Sequence, residues 1–170
     1  MNQAIALRLP PVLLVAVLLH TAVFPNLRVF GVAADVMLLL PIAAGIAAGP
    51  ERGALVGFVS GLLADCFLQT PFGLSALSAC LIGWCVGSFQ TGVLHGGRWI
   101  PMLTTFVATA LGILTFALVG AVLGEDQLLS SRLFTVVVVA STLNALLSPL
   151  AVRVMRWAVA ARPVPGLVHR

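Results

Sequence analysis

The stretch from Gly49 to Phe89, GPERGALVGFVSGLLADCFLQTPFGLSALSACLIGWCVGSF, decides how this chain is read. It opens on a charged turn, Gly49-Pro50-Glu51-Arg52-Gly53, and continues as an apolar run. It breaks at Gln69-Thr70-Pro71-Phe72-Gly73 and resumes as a second apolar run. Gly and Pro at such breaks are turn chemistry. Within the runs, glycine recurs every fourth residue: Gly45 and Gly49, then Gly53, Gly57 and Gly61, then Gly83 and Gly87. Residues four apart share a helix face, and small ones let helix backbones approach closely. The apolar residues come in long runs and do not alternate, which points to helices in lipid rather than to a barrel.

The rest of the chain has the same character. Of its 170 residues, 61% are hydrophobic and 8% are charged, against roughly a quarter charged in soluble domains. This excludes an ordinary soluble fold, and it excludes disorder, which needs the opposite composition. Three Cys are too few for a disulfide framework, and the 16 Gly show no period of three. Apolar runs fall at 9–25, 32–48, 53–69, 73–90, 99–123 and 133–152. A crossing takes about 20 apolar residues. The predicted fold is therefore all-α, an integral membrane bundle of six transmembrane helices. It forms a single domain over 1–162, followed by a short cytoplasmic tail at 163–170. The remaining breaks are Phe24-Pro25-Asn26, Thr91 to Arg98, and the acidic loop Gly124-Glu125-Asp126-Gln127.

An even number of crossings puts both ends on one side. That side then holds Arg8, Arg52, Arg98, Arg153, Arg156, Arg162 and Arg170, and the other holds Arg28 and Arg132. The bias predicts cytoplasmic ends in a multi-pass membrane protein. The nine basic residues are all Arg and there is no Tyr. With no basic patch interleaved with aromatics, nucleic acid is excluded as a partner. The first run resembles a secretory signal but shows no small-residue cleavage site, so it is predicted to stay as an anchor. Residues 153–161 are expected to carry the last helix past the bilayer, with Arg153, Arg156 and Trp157 resting on anionic lipid. The tail at Pro163-Val164-Pro165-Gly166 is expected to be unstructured.

Polar groups inside the runs are few. Asp35 begins the second and Asp65 ends the third, which places both toward the outer face. They read either as an ion, proton or partner-docking pair, or as helix caps, structural hydrogen bonds or partners of Arg28 or Arg132. Ser141, Asn144 and Ser148 lie on one face of the last run and read as interhelical glue or as a substrate-lining stripe. His20 stands alone and reads as a packing residue. The ridge Gly53-Gly57-Gly61 faces another helix of this chain or a partner's helix. Cys66, Cys80 and Cys85 form no metal or redox spacing. No nucleophile elbow, phosphate loop or zinc motif is present. A non-enzymatic role without cofactor or metal is expected.

These residues carry a family resemblance. An Asp at the head of the second helix is followed by a Gly-rich helix of the form G-x-x-x-G-F-x-x-G-L-x-x-D, then a loop and a G-x-x-A-L helix start. Here they are Asp35, then Gly53, Gly57, Phe58, Gly61, Leu62 and Asp65, then Pro71, Gly73, Leu74, Ala76 and Leu77. The pattern resembles the rod shape-determining protein MreD family, with Ala34 where that family often has Pro. The resemblance implies a bacterial inner-membrane protein of the cell-elongation machinery, a scaffold for lateral peptidoglycan synthesis that works beside the single-span periplasmic scaffold MreC. It implies peptidoglycan polymerase and crosslinking enzymes as further partners, and the actin-like MreB indirectly. Gly53, Gly57, Gly61, Asp65 and Asp35 are the residues expected to dock the partner. The family's six-helix arrangement is also similar to the substrate-binding subunits of energy-coupling-factor vitamin transporters, which supplies a rival function.

Overall fold

The computed structural model describes residues 3–23, 31–32, 34–67, 72–90, 99–124 and 132–159. They form six α-helices: α1 Gln3–Leu18, α2 Val36–Ala48, α3 Pro50–Asp65, α4 Leu74–Gln90, α5 Trp99–Val122 and α6 Leu133–Val159. A π-helical turn, Leu19–Val23, follows α1. Each predicted run contains one helix, so the all-helical reading holds over the described residues. Several boundaries differ from the expected runs: α1 begins at Gln3 and α3 at Pro50, α3 ends at Asp65, and α2 starts at Val36 because Asp35 caps it. α6 continues helical past Val152 to Val159, as expected of the residues after 152. The breaks at Phe24-Pro25-Asn26, Thr91 to Arg98 and Glu125-Asp126-Gln127, and the tail 163–170, lie outside the described residues.

α5 and α6 are long and apolar enough to cross a membrane. Neither carries a charge between Trp99 and Val122 or between Leu133 and Val152. Large apolar side chains stand exposed along both, among them Leu103, Leu111 and Leu118 on α5 and Leu146 and Leu150 on α6. Lipid satisfies such a surface; water does not.

α2 is the centre of the bundle. Every residue from Val36 to Ile46 is buried, as expected of a helix that is apolar all round. It contacts each of the other five α-helices. Its 13 residues span about 20 Å, short of the roughly 30 Å of hydrocarbon. Its neighbours rather than lipid set its length.

Pro41 sits inside this buried helix. Proline has no N–H, so the carbonyl four residues back, that of Met37, loses its helical donor. The hydroxyl of Ser60 on α3 supplies one at 3.1 Å. The chain then reverses at Gly49, whose N–H donates to the Gly45 carbonyl at 3.0 Å. Gly49 has φ +90°, a conformation side-chain-bearing residues avoid. Pro50 opens α3 at the first-turn position it favours.

The glycine ridge packs inside the molecule. A Cβ placed on Gly53 would fall on the backbone of Gly83, one on Gly57 on that of Ala79, and one on Gly61 on that of Ala76. One on Gly45 of α2 would lie 2.7 Å from the Gly83 carbonyl oxygen. α3 and α4 are thus in backbone contact along the ridge. Backbone cannot rotate aside as a side chain can. Gly57→Leu is expected to force α3 and α4 apart, at a cost at or beyond the usual overpacking range of about 1–3 kcal/mol. In size-exclusion chromatography and thermal unfolding of the detergent-purified protein, it should lose its monodisperse peak or unfold well below the parent. A parent-like midpoint would refute the packing.

Candidate functional site

Asp35 and Asp65 lie at the same end of the bundle and do different work. Asp35 is the N-cap of α2: its Oδ1 accepts from the Leu38 N–H at 3.1 Å. Its carbonyl accepts from Asn144 Nδ2 on α6 at 3.0 Å, which ties α2 to α6. Asp65, 3% exposed, reaches from the end of α3 to the start of α4. It accepts from the N–H groups of Gly73 at 2.8 Å, Ser75 at 3.1 Å and Ala76 at 3.4 Å. Gly73 occupies the N-cap position of α4 without a side chain to cap it, at φ +99°. Asp65 supplies the missing acceptor from another helix, and its negative charge suits the positive end of the α4 dipole. The cap reading left open by the sequence therefore describes both carboxylates. Of the two pairings considered for them, Arg28 lies outside the described residues. No ion pair links either Asp to Arg132.

The polar stripe on α6 is glue. Ser141, Asn144 and Ser148 are fully buried. Ser148 Oγ lies 2.7 Å from Thr105 Oγ1, and Asn144 Nδ2 donates to Thr109 Oγ1 at 3.4 Å. Thr105 and Thr109 on α5 were missed in the sequence, although their spacing of four within an apolar run was the available signal. Ser141 Oγ and Asn144 Oδ1 have no hydrogen-bond partner among the described residues.

Arginines gather at the opposite end. Arg8 of α1 donates to the Trp157 carbonyl at 3.3 Å and lies 5.1 Å from the centre of that indole ring. Arg52 of α3 donates to the Val159 carbonyl. The last turn of α6 thereby gains donors for carbonyls its own helix leaves free. Arg153 and Arg156 are exposed beside them.

At the end that holds Asp35 and Asp65 lies a cavity of about 490 Å³. The π-helical turn after α1 and five helices contribute to its wall: His20 lies in that turn, Leu38 in α2, Ala64 in α3, Ser78 in α4, Phe116 in α5 and Ala140 in α6. Of the residues expected to dock a partner, Asp35 and Gly61 line it. Gly53 and Gly57 are buried against α4 instead. The groove that the sequence offered to a partner's helix is filled by α4, so the pairing within the chain is the one present.

A family model described as rod shape-determining protein MreD matches residues 1–157. The chain belongs to that family. No curated protein and no solved structure matches it.

Capping by Asp65 has a measurable consequence. Asp65→Ala strips three N–H groups of their acceptor and should destabilise the protein by about 1–2 kcal/mol, the upper range for a lost cap. Asp65→Asn keeps an acceptor oxygen and should recover most of that loss. Thermal midpoints in one detergent provide the test; equal losses for Ala and Asn would show that the charge matters beyond capping.

Proposed function

We propose that this member of the MreD family is a non-enzymatic membrane scaffold of the bacterial cell-elongation machinery. It crosses the inner membrane six times with both ends in the cytoplasm. It holds an MreC-like single-span periplasmic scaffold beside the peptidoglycan polymerase and crosslinking enzymes, with MreB reached indirectly. Family membership supports the rod-shape role. The exposed apolar helices and the arginine-rich end support the membrane setting and its orientation.

The observation that carries docking is the α3–α4 pair. Gly53, Gly57 and Gly61 bring its two backbones together, Asp65 fastens its outer end, and Asp35 fixes α2 behind it. The pair is rigid where it is buried and apolar where it is exposed. Leu55 and Phe58 face outward on α3, and Leu77, Leu81 and Trp84 face outward on α4. A single transmembrane helix packing on this face would meet two aromatic anchors on a fixed support. The five site residues act in this reading by building the docking face rather than by touching the partner.

The rival, a substrate-binding subunit of an energy-coupling-factor vitamin transporter, draws on the cavity. Among the described residues of its wall, Phe116 gives the one ring from Phe, Trp or Tyr, a sparse platform for a flat vitamin ring.

The double variant Phe58→Ala, Trp84→Ala tests the docking face. Both side chains are exposed, so the thermal midpoint should stay near that of the parent. Loss of two hot-spot aromatics at about 2 kcal/mol or more should cut recovery of the MreC-like partner by at least tenfold, and cells carrying the variant should round up. Parent-like recovery of the partner with normal expression would exclude this face. Reporter fusions to the two ends are expected to report cytoplasm for both; opposite sides would exclude the six-crossing topology.

A further inference from the structure

The cavity is a half-open pocket, and its volume of about 490 Å³ lies within the 300–1,000 Å³ of small-molecule sites. Ala79 of α4 and Ala140 of α6 are small wall residues, while a Cβ on Gly61 or Gly112 would strike Ala76 or Leu38 rather than enter the space.

Among the described residues of the wall, acceptors outnumber donors, the Ser75 hydroxyl and one His20 nitrogen being the groups that can donate. Asp35 brings a carboxylate. His20 Nδ1 is buried without a hydrogen-bond partner and accepts when the ring proton sits on Nε2. Ser78 Oγ directs its proton to the carbonyls of Leu74 and Ser75, at 3.0 and 3.1 Å, which leaves its lone pairs. Ser75 has the remaining hydroxyl. No Lys or Arg is among the described residues of the wall. Among the described residues of the wall, an anion would meet the Asp35 carboxylate with no compensating cation, at the high cost of an unpaired charge in an apolar site. An ammonium group would donate to Asp35, to His20 Nδ1 and to the Ser78 lone pairs.

We propose that this cavity binds a small amphipathic amine, with its cationic head toward Asp35 and His20 and its apolar body against Phe116 and the small-residue wall. The cavity shares Asp35 and Gly61 with the frame of the docking face but not its exposed side chains, and neither reading depends on the other.

The test uses the full chain in nanodiscs of zwitterionic phospholipid. The probes are tryptamine and phenethylamine, their uncharged relatives indole and toluene, and the anions indole-3-acetate and phenylacetate. Binding is read by saturation-transfer NMR and thermal shift. At least one amine should bind tenfold or more tighter than its anionic counterpart. Asp35→Asn preserves the helix cap and should reduce the preference for amine over uncharged relative at least fivefold. Ala140→Phe should abolish binding by filling the chamber; Val136→Phe, at a half-buried wall position, serves if that variant does not fold. Absence of binding by both amines overturns the proposal. So does binding that survives the filling variant. Equal binding of the charged and uncharged probes overturns the amine assignment and points to an apolar occupant such as a lipid chain.

Discussion

Three helix backbones meet at Gly45, Gly53 and Gly83, and the bundle depends on that meeting. In lipid the hydrophobic effect does little to hold one helix against another, so association rests on packing and on hydrogen bonds between helices. Dispersion falls off steeply with distance, so it is strongest where side chains are absent and backbones touch. The glycines of α2, α3 and α4 provide that contact, with Gly57 and Gly61 extending it along α3. The close approach also places Ser60 within reach of the Met37 carbonyl that Pro41 leaves unbonded. A wider spacing would strand that carbonyl in the most buried helix of the molecule, where an unsatisfied backbone group is costly.

Charged and polar side chains complete this frame at its two ends. At one end Asp35 and Asp65 accept from the first N–H groups of α2 and α4. At the other, Arg8 and Arg52 donate to the last carbonyls of α6. Helix N-termini present free donors and C-termini free acceptors, so acids at one end and arginines at the other fit both the hydrogen-bond need and the helix dipoles. The arginine bias that signals topology in the sequence therefore has a second physical role. The same side chains fasten α1 and α3 to the end of α6.

How much of this could be read in the sequence follows from how local each feature is. The helices were legible because apolar runs and Gly/Pro breaks are local, and all six described helices fall on predicted runs. The spacing of Gly53, Gly57 and Gly61 showed a smooth face but not what covers it, because the spacing of one helix carries no information about its neighbour. Asp65 was visible as a carboxylate in an apolar setting. Its role required knowing that Gly73, eight residues on, leaves an uncapped helix start facing it. The Ser60–Met37 bond, 23 residues apart, and the pairing of Thr105 with Ser148, 43 apart, are settled only by folding. The cavity was the least legible feature, since its wall draws a few residues from each of five helices and from the turn after α1 and forms no motif in any of them.

That distribution also determines what an occupant would do. A molecule seated in the chamber touches the segment after α1, the cap of α2, and the walls given by α3, α4, α5 and α6. Binding to the folded bundle alone stabilises it by mass action, and here the contacts span five helices and the turn after α1 rather than one hairpin. Asp35 stands where the two systems join: its side chain holds the start of α2, its carbonyl holds Asn144 of α6, and the residue lines the cavity. Occupancy would then bear on the helix against which α3 and α4 are packed. The glycine contacts that make the α3–α4 face rigid would carry any such shift through backbone, without slack from side chains that can change rotamer.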